Sequence, residues 1–228
     1  MKPLSNIKAI LWDIDGTLFS SEEMIHRIYH KVFTEYQAQF GWPDQIPDHD
    51  SIVGQIGQPV KTIFQNLVPQ LEESQRDRLS LGILHMLVRE ITFGAGHFYP
   101  GVGSVLATLR SRGFRFAAAS NGRYPYIEAI LRACGCIQYF DSLLCVDNTS
   151  IYNKNELVAR ILRDLELAPG QVVLIGDRSS DRDAARLNDT AFVACTFGHG
   201  NDQEWQGANA RIDSLTALLD LLPGPPHS

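Results

Sequence analysis

"KAILWDIDGTLF", residues 8 to 19, decides how this chain folds. Four apolar residues, Ala9 to Trp12, run into two carboxylates one residue apart, Asp13 and Asp15, and the chain turns apolar again after Gly16 and Thr17. A short apolar run bounded this way reads as a buried strand. Two like charges at its end repel each other unless something neutralises them. A calcium loop does not account for them. Counted from Asp13, the sixth position is Leu18 and the twelfth is Met24, where an EF-hand requires Gly and Glu.

Further apolar runs follow in the second half: "FRFAAA" (114–119), "SLLCV" (142–146), "VVLI" (172–175) and "AFVACTF" (191–197). Between them lie "VGSVLATLRSRG", "PYIEAILRACG", "NELVARILRDLEL" and "SDRDAARLND", with apolar residues at helical spacing; Gly113 and Gly135 stop the first two. Strands alternating with helices predict βαβ units: a doubly wound parallel sheet with helices on both faces. Residues 18–93 interrupt the pattern. After Ser20 and Ser21, candidate N-caps, Ile25, Ile28, Tyr29, Val32, Phe33 and Tyr36 mark one helix face. More helical spacing lies around 60–68 and 74–92. The expected organisation is an α/β core of residues 1–17 and 94–222, an inserted all-helical cap over 18–93, and a frayed tail over 223–228. "FGAG" (93–96) offers a flexible return hinge.

Bulk properties bound the partners. At 228 residues, 44% hydrophobic and 20% charged, the chain suits a soluble protein of one large domain or a core with a companion. A net charge of −6 without basic runs argues against nucleic acid or an anionic membrane as partner. The apolar stretch near the start is too short for a signal peptide, and no segment reaches the roughly 20 apolar residues of a spanning helix. Cys134, Cys136, Cys145 and Cys195 form no C-x-x-C pair and are expected to be reduced, mostly buried thiols in the cytoplasm. Monomer and homodimer stay equally open.

The polar clusters converge. Asp13 and Asp15 follow the first strand, Ser120-Asn121-Gly122 the second, and Gly176-Asp177 follows "VVLI", with Asp181 four residues on; Lys154 opens a helix. In open α/β sheets the carboxyl ends of the strands are where ligands bind. Carboxylates meeting at one point call for a cation, and hard oxygen ligands suit Mg²⁺. Lys154, Ser120 and backbone N–H groups would hold an anion. That set is the equipment of phosphoryl transfer: Asp13 attacks phosphorus, and Asp15 protonates the leaving alkoxide and then activates water.

In "DIDGT", "SNG", Lys154 of "NKNEL" and "GDRSSD", supported by "FYPGV" (98–102) and "FGHGNDQEW" (197–205), the chain resembles the haloacid dehalogenase superfamily phosphatases, in the phosphoglycolate-phosphatase-like group with a helical cap. The resemblance spans nearly the whole chain. It implies Asp13 as nucleophile and metal ligand, and Asp15 as general acid/base with its carbonyl on Mg²⁺. It implies Asp177 as a further ligand, Asp181 as an auxiliary one, and Ser120, Asn121 and Lys154 on the phosphoryl group. The implied function is Mg²⁺-dependent hydrolysis of a small phosphate monoester, phosphoglycolate-like or a sugar or nucleoside phosphate. The cap would move as a lid, admitting small esters and excluding phosphoproteins.

The alternatives are a sugar-phosphate mutase of the same superfamily or a non-catalytic binding protein on the same fold. The second would be expected to lack Asp13, Asp15 or Lys154, and all three are present. A dehalogenase gives Asp15 no oxygen to protonate. "GQIGQP" (54–59) reads equally as a turn or as a cap loop facing the site. Arg123 and Tyr124 read equally as substrate contacts or as a helix start. His26 and His30 read as a solvated helix face, since Arg27 stands where a zinc peptidase needs Glu.

Overall fold

The computed structural model describes residues 4–146 and 151–225. In chain order its elements are β1 (Ala9–Trp12), β2 (Phe19–Ser20), α1 (Glu22–Phe40), α2 (His49–Val53), α3 (Val60–Leu67), α4 (Glu73–Thr92), β3 (His97–Phe98) and α5 (Val102–Ser111). They continue with β4 (Arg115–Ser120), α6 (Tyr124–Ala133), β5 (Ser142–Cys145), α7 (Lys154–Leu165), β6 (Val172–Gly176), α8 (Ser179–Leu187), β7 (Ala191–Cys195), β8 (Ala210–Ile212) and α9 (Leu218–Leu221).

Six strands form one parallel sheet in the order β5-β4-β1-β6-β7-β8. From β1 the chain winds outward through β4 to β5, then returns beside β1 and winds outward again through β6, β7 and β8. The switch point, and the crevice it opens, therefore lies at the carboxyl end of β1. Register brings the motifs together: Trp12 lies opposite Ala118 on one side and Ile175 on the other.

The strands are apolar without alternation because both faces are covered. Ile10, Trp12, Phe116, Val173 and Ile175 join one core cluster with α5, α6 and α9. Ala9, Leu11, Ala117, Leu174 and Phe192 join another with Leu157, Val158 and Ile161 of α7 and Ala184 and Ala185 of α8. This is the predicted doubly wound α/β architecture. The unforeseen strand β8 is three residues long with the exposed Arg211 at its centre, too little for an apolar pattern to show.

Helices α1 to α4 lie between β2 and β3. The face predicted for α1 is buried from Ile25 to Phe33, and α1 packs on α4, which packs in turn on α6. Ser21 occupies the N-cap position of α1, but its hydroxyl makes no capping bond. The connections into and out of this helical block pair as a short antiparallel ladder, Phe19 opposite Phe98 and Ser20 opposite His97. Gly96, at φ +85°, is obligatory here, because a Cβ would collide with the Phe19 ring.

The expectation of four reduced thiols is corrected at one pair. Cys134 and Cys136 form a disulfide across Gly135, whose left-handed backbone folds the chain back and sets the Cα atoms 5.3 Å apart. Cys145 and Cys195 are buried thiols outside any disulfide, as expected. Of the tail expected to fray, residues 223–225 carry no helix or strand and 226–228 lie outside the described residues. Among the described residues, no helix is long and apolar enough to cross a membrane.

Candidate active site

Asp13 leaves β1 with its amide donating to the Ile175 carbonyl (2.9 Å), so β6 sets its direction. Asp177 follows β6, and Asp181 lies in the first turn of α8. Asp13, Asp177 and Asp181 are buried, and each offers an oxygen within 4.8 Å of the other two. Lys154 is the first residue of α7. Asn153 caps that helix by accepting from the Glu156 amide (2.9 Å), and so turns the lysine inward. Its Nζ donates to Asp13 Oδ1 and to Asp181 Oδ1, both at 2.6 Å.

Three carboxylates face one lysine, a surplus of two negative charges in a buried space. Burial raises Asp13 well above the usual carboxylate range, with Lys154 opposing and Asp181 and Asp177 adding to the rise. Burial and the Asp181 charge push Asp177 up to about 7. Burial also works against the charge of Lys154, but Asp13 and Asp181 outweigh it and hold the ammonium protonated. The donor set fits a divalent cation. Among the described residues, Asp177 Oδ1 is buried with no hydrogen-bond partner, while its Oδ2 accepts from the His199 amide (2.6 Å). Gly16, at φ +81°, and Gly198 keep the space around Asp177 clear, for a Cβ on either would overlap its carboxylate. Hard oxygen ligands with two uncompensated charges suit Mg²⁺.

Asp15 is not gathered into this cluster. Its Oδ1 accepts from Tyr126 Oη (2.6 Å) and Ser21 Oγ (2.7 Å), and burial raises its pKa against those two hydrogen bonds. Ser120, buried at the end of β4, accepts from the Gly122 amide (3.1 Å). Asn121 is buried too, and its Nδ2 donates to the Gly57 carbonyl (2.8 Å). The "GQIGQP" segment therefore faces the site. Arg178 also holds it, donating from Nη1 to the Ile56 carbonyl (2.5 Å) while Nε pairs with Glu204 (3.1 Å). Between this segment and the sheet lies a cavity of about 70 Å³, reaching from Asp13, Asp15 and Ser120 to α1, α3 and α4.

The family model for haloacid dehalogenase-like hydrolases matches residues 7–189. The chain belongs to that family. Among curated proteins it is similar to a phosphoglycolate phosphatase of Nitrosococcus oceani, 27% identical over 96% of this chain and 98% of that one. It is also similar to the tyrosine-protein kinase PtkA of Mycobacterium tuberculosis, 26% identical over 96% and 72%. The crystal structure of CbbY from Rhodobacter sphaeroides shares the fold, with a TM-score of 0.80 at 23% identity over 95% of this chain and 99% of that one. The chain is thus an enzyme of hydrolase class, similar to phosphatases of its family.

In this hydrolase several site residues escaped sequence reasoning. Tyr126 and Ser21 hold Asp15, His199 supports Asp177, and Trp205 Nε1 donates to the Asp177 carbonyl (2.7 Å). The glycines of "FGHGN" were the available signal for His199: a Cβ on Gly200 would collide with the Asp177 carbonyl. Of the open readings, Arg123 lines the cavity and Tyr124 begins α6. His30 is exposed and His26 packs on the His49 ring.

Proposed function

We propose that the protein hydrolyses a small organic phosphate monoester with Mg²⁺, through an aspartyl-phosphate on Asp13. One observation carries this reading: three buried carboxylates offer oxygens within 4.8 Å of one another at a sheet switch point, a buried lysine lies 2.6 Å from two of them, and a separate protonatable carboxyl, Asp15, stands beside them. Asp13, Asp177 and the Asp15 carbonyl would hold the metal, with Asp181 auxiliary. When bound, Mg²⁺ offsets the carboxylate charge and draws charge from the phosphoryl oxygens. Asp13 attacks phosphorus in line as the ester P–O bond breaks. Asp15, whose pKa burial raises, gives its proton to the leaving oxygen. As a carboxylate it then takes a proton from the water that attacks the phosphoryl group and frees Asp13. Ser120, Asn121 and Lys154 orient the phosphoryl oxygens.

On this reading residues 1–17 and 94–222 form the catalytic core, 18–93 are a cap, and the partner is a small phosphorylated metabolite. Purified protein should release phosphate from para-nitrophenyl phosphate with Mg²⁺ and stop in excess EDTA. Turnover that persists in chelator defeats the metal assignment.

A further inference from the structure

The cavity's two ends differ in chemistry. Its sheet end carries Asp13, Asp15, Ser120, Asn121 and Arg123. Its helical end is hydrocarbon: Ile25 and Tyr29 of α1, Val60 and Phe64 of α3, and Ile83 and Leu87 of α4 face it. Tyr29 and Phe64 stack at 5.9 Å with 15° between their planes, giving a flat aromatic wall. Among the described residues, helices α1 to α4 contribute no charged side chain to the lining. The polar groups on that side are the Tyr29 hydroxyl, the Gln58 amide of the loop before α3 and Ser80 Oγ, the last buried and, among the described residues, without a hydrogen-bond partner.

A polyol placed here would lose several hydrogen bonds to water and regain few, because buried polar groups need partners. Among the described residues the cavity lining holds one cation, Arg123, at its sheet end, so a second anion at the helical end would meet no opposite charge. We infer that the substrate is a small phosphate monoester whose alcohol part is mostly hydrocarbon, alkyl or aryl, with at most one polar group, placed to meet Ser80 or Gln58. The volume of about 70 Å³, on the order of five waters, limits the guest to a short chain or single ring. This inference rests on the phosphatase reading of the same site.

The test separates the two. In Mg²⁺, binding of 3-methylbutylphosphonate, phosphonoacetate and a hexose phosphonate is measured by calorimetry. Turnover is measured on 3-methylbutyl phosphate, phosphoglycolate and glucose 6-phosphate. The branched alkyl compounds should lead in both series, with kcat/KM at least about tenfold above the others. Leu84→Arg, which places a cation on the half-buried wall, should abolish that preference while the melting temperature stays close to wild type. Equal or better handling of phosphoglycolate or the hexose ester overturns the inference and leaves the phosphatase reading standing. Preferred binding of the alkyl phosphonate with no ester hydrolysed upholds the apolar site and overturns the phosphatase reading.

Discussion

Asp177 concentrates the tension of the site, since one oxygen is held by an amide and the other is buried without a partner among the described residues. A cation that binds only the folded state stabilises it by about 2.7 kcal/mol at a hundred times its dissociation constant. For a chain of this size that is a rise of roughly 5–10 °C in Tm. We expect Mg²⁺ to raise Tm by about this amount in wild type and by none in Asp177→Asn, read by differential scanning fluorimetry; an undiminished rise in the variant would take Asp177 out of the metal site. Asp13→Asn removes the attacking oxygen but keeps the volume. Its kcat should fall at least about a thousandfold, near 4 kcal/mol, with circular dichroism unchanged. Survival of more than about a tenth of wild-type kcat would rule out covalent catalysis by Asp13.

Two elements are fastened by side chains that the sequence could not assign. Residues 54–59 are tied to the sheet side by Asn121 on Gly57 and Arg178 on Ile56. Arg178→Leu should loosen that loop and misplace the guest, lowering kcat/KM about tenfold to a hundredfold, since small misplacements are costly near the reacting atoms. Steady-state kinetics and faster proteolysis within 54–59 would register it; unchanged kinetics would make the contact ornamental. The second fastening joins α5 to the turn before β5. Arg110 grips Asp141 with two bonds (2.9 and 2.7 Å), and Asp141 accepts from the Phe116 amide (3.0 Å). Burial pushes the Asp141 pKa up, but Arg110 and that amide outweigh it, leaving it below the usual carboxylate range. A depressed carboxyl contributes stability above its unfolded pKa of about 3.9, and this is lost as pH falls through the lower folded value. Asp141→Asn should therefore cost about 1 kcal/mol at pH 7, or 2–4 °C in Tm, and almost nothing near pH 2.

Across the whole molecule, the helical block joins the sheet through two strands that pair for only two residues each. Such a junction suits a lid: little backbone bonding resists rotation, and Gly94 and Gly96 already adopt positive φ. On the proposed reading, a cavity of this size under the closed block would admit a small ester and exclude a folded protein surface. Turnover of a folded phosphoprotein should be under about 1% of that on a small ester of similar reactivity, measured as phosphate release at equal concentration. Comparable rates would mean that the block does not enclose the reaction.

Much of this was readable from residues alone. A parallel sheet buried on both faces demands unbroken apolar runs, so "AILW", "VVLI" and "AFVAC" announce themselves. Parallel strands also put whatever follows each run at one edge, so the sequence alone predicts Asp13, Ser120 and Asp177 at one place. Helical spacing of apolar residues similarly gave away α1, α4 and α7. Contacts between residues far apart in the chain carry no local periodicity, and these waited for the tertiary structure. Ser21 had the composition of a helix cap, yet its hydroxyl serves Asp15, because the chain brings a buried carboxyl within 2.7 Å. Cys134 and Cys136 looked like isolated thiols until Gly135 turned them together. The apolar wall over the carboxylate cluster is assembled from α1, α3 and α4, each of which reads by itself only as an amphipathic helix; which apolar side chains face one another across the cavity is a property of their packing alone.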